Sequence, residues 1–162
     1  QFRERKNSNH TYLIPETERS PKTIKRDWVG PPGEDSNIRQ MKFYVPENET
    51  ILQRRLRTLR EDTLKYNESF WKRHNNDFFR EKELYVKTIL ANKDLKENEE
   101  VPTKLTPEEM SVFYKKFLDD NYYKNLRYNG EWYRKNFSIF ILTYTVFVEQ
   151  IKLSVKKLFK KK

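Results

Sequence analysis

The chain has 162 residues, with 34 lysines and arginines against 24 aspartates and glutamates, a net charge of +10 and a hydrophobic content of only 35%. Aromatic residues nevertheless make up 15%, which excludes a wholly disordered chain and points to one folded domain whose thin core is built from rings. The absence of cysteine excludes disulfide scaffolds, thiolate zinc sites, iron–sulfur clusters, thiol-based copper delivery and cysteine nucleophiles.

Residues 1–25 are polar and charged apart from a knot at Tyr12, Leu13 and Ile14, and they read as a disordered or loosely docked basic tail. The chain starts at Gln1 rather than methionine and so reads as a processed form whose targeting peptide is gone. The segment 26–49 concentrates Pro31, Pro32 and Pro46 with Gly30, Gly33 and Trp28. Proline removes an N–H donor and pushes the residue before it toward extended geometry. A stiff, irregular, aromatic-bearing arm is expected here, ahead of a helical domain at 50–160. Trp28 and the Phe43–Tyr44 pair are the candidates for docking the arm or holding a partner, and Asp27 is read as a cap or anchor.

A first helix is predicted over 49–73, because Leu52, Leu56, Leu59, Thr63, Tyr66 and Phe70 recur at steps of four and three and share one face. Asn75-Asn76-Asp77 is expected to break it and to cap a second helix at 78–92. The charged, proline-containing stretch 93–104 reads as a loop. Thr106-Pro107-Glu108-Glu109 is a strong start for a third helix over 107–126. A turn at Asn129-Gly130 then leads to a fourth, 131–160. The β-branched and aromatic run Phe137–Val148 favours a strand locally, but no strand partner of similar character is found. Phe140, Tyr144, Phe147, Ile151, Val155 and Leu158 keep a helical stripe, so helix is preferred. That run of 12 residues is shorter than the roughly 20 needed to span a bilayer. The stripe is therefore read as core contact, with contact in a membrane interface as the alternative. The expected fold is all-α: a small antiparallel assembly of about four helices preceded by the arm.

No glycine-rich phosphate loop is possible with 3 glycines, and no catalytic pattern is present. Carboxylates sit among lysines on solvent faces, so no enzyme is expected and no catalytic or metal residues are assigned. The two histidines, His10 and His74, are too few for a multi-histidine site. His74 reads as a surface histidine near a helix C-terminus and, as a sharper alternative, as an axial haem ligand. Otherwise no cofactor is expected. The mixture Trp132, Tyr133, Arg134, Lys135, Asn136 and Phe137 carries the basic–aromatic signature of single-stranded nucleic-acid binders, but at helical spacing it reads first as core.

The runs DWVGPPGEDSNIRQMKFYVPENE and LQRRLRTLREDTLKYNESFW, with the later EEMSVFYKKFLDDNYYKNLRYNGEWYRKNF, closely resemble the mitochondrial cytochrome c oxidase assembly factor 8 family, also called apoptogenic protein 1. The likeness covers about residues 26 to 150. It implies a nuclear-encoded, presequence-bearing protein at the matrix side of the mitochondrial inner membrane. Such a protein would support assembly of respiratory complex IV and its protection from oxidative stress, with a role in apoptosis attached to the older name. No catalytic residues come with the resemblance. It makes the arm residues Asp27, Trp28, Gly30, Pro31, Pro32, Asn37, Arg39, Phe43, Tyr44 and Pro46 the candidates for contact with oxidase subunits or assembly intermediates. Phe140, Tyr144, Phe147, Ile151, Lys152, Lys156, Lys157, Lys160 and Lys161 become candidates for contact with an anionic inner-membrane surface. The expected action is that of a non-enzymatic, chaperone-like peripheral membrane protein. A haem-binding or haem-protecting module and a matrix RNA-binding protein are the alternatives, although nucleic acid is not an expected partner.

Overall fold

The computed structural model describes residues 24–94 and 104–159, so the expected tail, most of the expected loop, and Lys160 and Lys161 lie outside the described residues. A short hairpin, β1 (Trp28–Pro32) and β2 (Arg39–Lys42), precedes three helices: α1 (Ile51–Asp94), α2 (Pro107–Asp120) and α3 (Tyr122–Phe159).

The arm expected to be extended and irregular is therefore regular over these two strands, and the fold is mostly helical rather than all-α. Its strands pair antiparallel, Trp28 with Lys42, Val29 with Met41 and Pro32 with Arg39, and a register shift falls between Val29 and Pro32. In a two-stranded sheet each strand is an edge, so the N–H that a proline lacks need not be missed. The bulge places the Pro31–Pro32 pair where the ladder is already interrupted. The connecting turn closes through Gly33 N–H donating to the Ile38 carbonyl (2.8 Å) and Asn37 N–H donating to the Gly33 carbonyl (2.9 Å). Asn37 adopts φ 56°, the left-handed region that asparagine tolerates better than most side chains.

Two expected breaks are absent. Asn75-Asn76-Asp77 lies inside the 44-residue α1, and Asn129-Gly130 lies inside the 38-residue α3. The first polar triplet continues the helix because the side chains of Asn75 and Asp77 are taken by partners other than the backbone they could have capped. Asn75 donates to the Asp35 carbonyl at 2.8 Å, while Asp77 accepts from Arg80 at 2.9 Å and meets Lys124 at 3.3 Å. The break between the last two helices falls instead at Asn121, whose backbone N–H and side-chain amide both donate to the Phe117 carbonyl (3.1 and 3.0 Å).

Of the predicted helix starts, those near 49 and at 107 are present, while those at 78 and 131 fall inside α1 and α3. Thr106 caps α2 in a reciprocal capping box with Glu109, and Pro107 occupies its first turn. At α1, Thr50 Oγ1 accepts from Gln53 N–H (3.2 Å) and Gln53 Oε1 accepts from Thr50 N–H (2.9 Å), the same reciprocal arrangement. Thr50 also donates to Glu149 at 2.6 Å, so the start of α1 is tied to the far part of α3. Further along, Trp71 meets Tyr128 and Asp77 meets Lys124, so α1 and α3 run antiparallel. The core follows this seam and its junction with α2. Phe70, Phe113, Phe117 and Tyr128 are buried there, with Phe78 at 5.1 Å and His74 at 5.3 Å from the Phe117 ring centre.

Candidate functional site

The hairpin is pinned to α1 at both ends. At its open end Asp27 accepts from the Tyr44 N–H at 2.9 Å and pairs with Arg60 at 3.1 Å. The Arg60 guanidinium lies 4.1 Å from the centre of the buried Phe43 ring, a cation–π contact. At the turn, Asp35 receives Lys72 on its carboxylate (3.0 Å) and Asn75 on its carbonyl. Asp27 is thus the anchor the sequence suggests, and Phe43 is a docking residue. Trp28 folds back over Gly30, where any Cβ would collide with the indole, so this glycine is needed for a close approach. Arg39 donates to the Gly30 carbonyl at 3.3 Å.

The candidate arm residues therefore divide. Gly30 and Phe43 are buried, Trp28, Pro31 and Pro46 are half-buried, and Asp27, Pro32, Asn37, Arg39 and Tyr44 are exposed. What the sequence reading missed on the outer surface of the hairpin is Val29, Met41 and Val45, exposed there beside the candidate Tyr44. Val29 and Met41 are register partners and so stand side by side on one face. Strand alternation would have marked that pair, had the arm been read as strands.

His74 is not a surface residue at a helix end. It sits within α1 at 9% exposure, stacked on Phe70 (5.6 Å between centres, 11°) and flanked edge-on by Trp71 at 5.6 Å. Burial first, and nearby Lys124 second, lower its pKa below the usual histidine value. Among the described residues its Nδ1 has no hydrogen-bond partner. Above it, Tyr128 accepts a hydrogen bond from Trp71 Nε1 at 2.8 Å and donates to Asn67 at 3.3 Å. Burial raises the Tyr128 pKa.

The stripe expected to reach the core in α3 points the other way. Phe140, Tyr144, Phe147, Ile151, Val155 and Leu158 are all exposed. The face that meets α1 carries Tyr128, Trp132, Lys135, Ile139, Leu142 and Val146, all buried or half-buried. Both stripes are apolar, so hydropathy alone could not rank them. Lys152, Lys156 and Lys157 are exposed on the far end of α3. A groove of about 330 Å³ runs between the start of α1 and α3, lined by Leu52, Tyr144, Thr145, Val148, Glu149 and Lys152. By length and composition α3 is apolar enough to cross a membrane, beyond what the 12-residue run suggested. Crossing would, however, carry α1 with its Arg54, Arg57 and Arg60 into hydrocarbon, which is costly. Among the described residues no group of three or more histidine, aspartate or glutamate side chains is placed to hold a metal ion.

The family model described as cytochrome c oxidase assembly factor 8 matches residues 26–152, from the hairpin through most of α3. The Bos taurus cytochrome c oxidase assembly factor 8 is 41% identical over 133 residues, covering 81% of this chain and 69% of that protein. The Homo sapiens protein of the same name is 40% identical over 144 residues, 88% of this chain and 70% of its own length. A Drosophila melanogaster family member named as mitochondrial is 35% identical over 137 residues, 85% of this chain and 73% of its own. No solved structure matches the chain. The chain belongs to the cytochrome c oxidase assembly factor 8 family.

Proposed function

We propose that this chain is a mitochondrial, non-enzymatic assembly factor for cytochrome c oxidase that works at the matrix face of the inner membrane. The observation that carries the reading is the family match over residues 26–152, together with relatives named for oxidase assembly. The hairpin offers the contact for an oxidase subunit or intermediate. Asp27, Phe43 and Asp35 hold it on α1, while Val29, Met41 and Val45 stay exposed and apolar. Apolar side chains on a rigidly mounted edge suit a client that has not yet met its final neighbours. The lysines Lys152, Lys156 and Lys157 at the exposed end of α3 suit an anionic lipid surface, each worth about 1 kcal/mol near the headgroups.

The test is isolation of a tagged chain from mitochondria opened with mild detergent. Oxidase subunits should accompany it, and high salt or carbonate should release it from membranes. Isolation with RNA and without oxidase subunits would overturn the reading. Retention in carbonate-washed membranes would replace peripheral attachment by a crossing α3.

A further inference from the structure

We propose that the outward face of α3 is a self-complementary seam on which a second copy of this chain packs antiparallel. The inference concerns the isolated chain and does not depend on the oxidase reading.

Tyr123, Leu126, Gly130, Tyr133, Phe137, Phe140, Tyr144, Phe147 and Ile151 follow one another at strictly alternating steps of three and four, and every one is exposed. The inner face of the same helix keeps the same spacing through Tyr128, Trp132, Lys135, Ile139, Leu142 and Val146, and there it packs against α1. Strict seven-residue spacing drifts by about 20° per heptad around a straight helix. A flat lipid surface cannot follow that drift, whereas a second helix does so by coiling. The inner face pairs with α1, and the outer face has the same period with no helix on it among the described residues.

The seam also has small residues where a partner needs them. A Cβ on Gly130 would meet nothing within 4 Å, so the body of this chain does not call for a glycine there, and glycine weakens a helix interior. Pairing α3 with its own copy, antiparallel and centred between Ser138 and Ile139, sets Gly130 opposite Phe147 and Ser154 opposite Tyr123. Leu126 then meets Ile151, Tyr133 meets Tyr144, and Phe137 meets Phe140. Each small residue receives a ring. A one-heptad shift one way sets Gly130 against Ser154. The opposite shift leaves Ile151 and Leu158 uncovered. A parallel pair would stack Gly130 on Gly130 and Phe137 on Phe137.

The flanking positions agree. In the same register Asn129 lies beside Gln150, Asn136 beside Thr143, Arg127 beside Val148 and Arg134 beside Ile141, so no like charges meet, despite a net charge of +10. Lys156 and Lys157 of one copy come level with exposed Asp119 and Asp120 of the other. The rings of Tyr133, Phe137, Phe140, Tyr144 and Phe147 are each 60–67% exposed. At roughly 150–250 Å² per aromatic side chain, they and the two aliphatics reach about 800 Å² per copy, the standard size for a stable interface.

The full chain has no cysteine, so L126C and I151C each carry a single thiol. Light scattering of the purified chain should give twice 20.0 kDa. Mixed and oxidised, L126C and I151C should cross-link to each other, while each alone should not. F140E, at an already exposed position, should halve the mass, keep the helical circular-dichroism signal and make the melting temperature independent of chain concentration, and F159E, off the seam, should leave the dimer intact. A monomeric mass at high micromolar concentration would overturn the proposal. Self-cross-linking of L126C would overturn the antiparallel pairing. A monomeric chain whose binding to vesicles containing cardiolipin is lost in F140E would assign the face to lipid instead.

Discussion

Trp71 donates its indole N–H to the Tyr128 hydroxyl at 2.8 Å, and the Tyr128 ring lies 3.9 Å from Phe70. This one hydroxyl joins the middle of α1 to α3 and also reaches Asn67 at 3.3 Å. Removing it while keeping the ring leaves a half-buried donor with no acceptor. Tyr128→Phe should therefore cost about 1–3 kcal/mol, and Tyr128→Ala, which also removes the stack, about 3–5 kcal/mol. Urea unfolding of both variants checks the order. Equal effects would mean that the hydroxyl contributes nothing.

His74 makes stability depend on pH in a defined direction. Burial against Phe70, Trp71 and Phe117 lowers its pKa below the usual histidine value of 6.5, with Lys124 opposing the charge and Asp77 favouring it. The unfolded chain therefore binds the proton more readily than the folded one. The stabilising contribution is complete above about pH 6.5 and is lost as pH falls toward the folded pKa. His74→Phe should flatten the melting temperature between pH 5 and 7 relative to the parent chain. An unchanged slope would place the titration elsewhere.

The hairpin should separate docking from recognition. Phe43→Ala and Asp27→Ala remove the Arg60 contacts and should lower the melting temperature by several degrees, since about 1 kcal/mol moves a chain of this size by roughly 2–4 °C. Gly30→Ala should expel Trp28 from its place over the glycine and shift tryptophan emission to the red. Val29→Ser with Met41→Ser, both on the exposed face, should leave the melting temperature within about 1 °C and reduce recovery of oxidase subunits. Loss of stability in that pair would make the outer face structural.

Thr50 is a helix cap whose hydroxyl also reaches Glu149. Thr50→Ala should cost about 1–2 kcal/mol, while Thr50→Ser, which keeps the hydroxyl, should cost less than half as much. Denaturant midpoints of the two variants decide this.

Which features were legible follows from the range of the interactions behind them. The α1 stripe from Leu52 to Phe70 and the Thr106 capping box rest on neighbours within a few residues, and both appear as read. The continuity of α1 through Asn75 and Asp77 rests on Asp35 and Lys124, 40 and 47 residues away, so local propensity pointed to a break. The hairpin was hidden because its prolines argue against strands, except at a bulged edge. His74 reads as a surface residue from sequence because the helix was expected to end one residue before it, at Arg73. In α3 the two apolar faces have the same spacing, and only the position of α1 tells them apart.

The most direct measurement of the central claim is the amount of assembled cytochrome c oxidase in native gels of mitochondria lacking this chain. The gel should show depleted mature enzyme, accumulated smaller intermediates, and restoration by the full chain, which itself migrates with an intermediate. Normal oxidase content without the chain, with the chain running free of any oxidase subunit, would contradict the account.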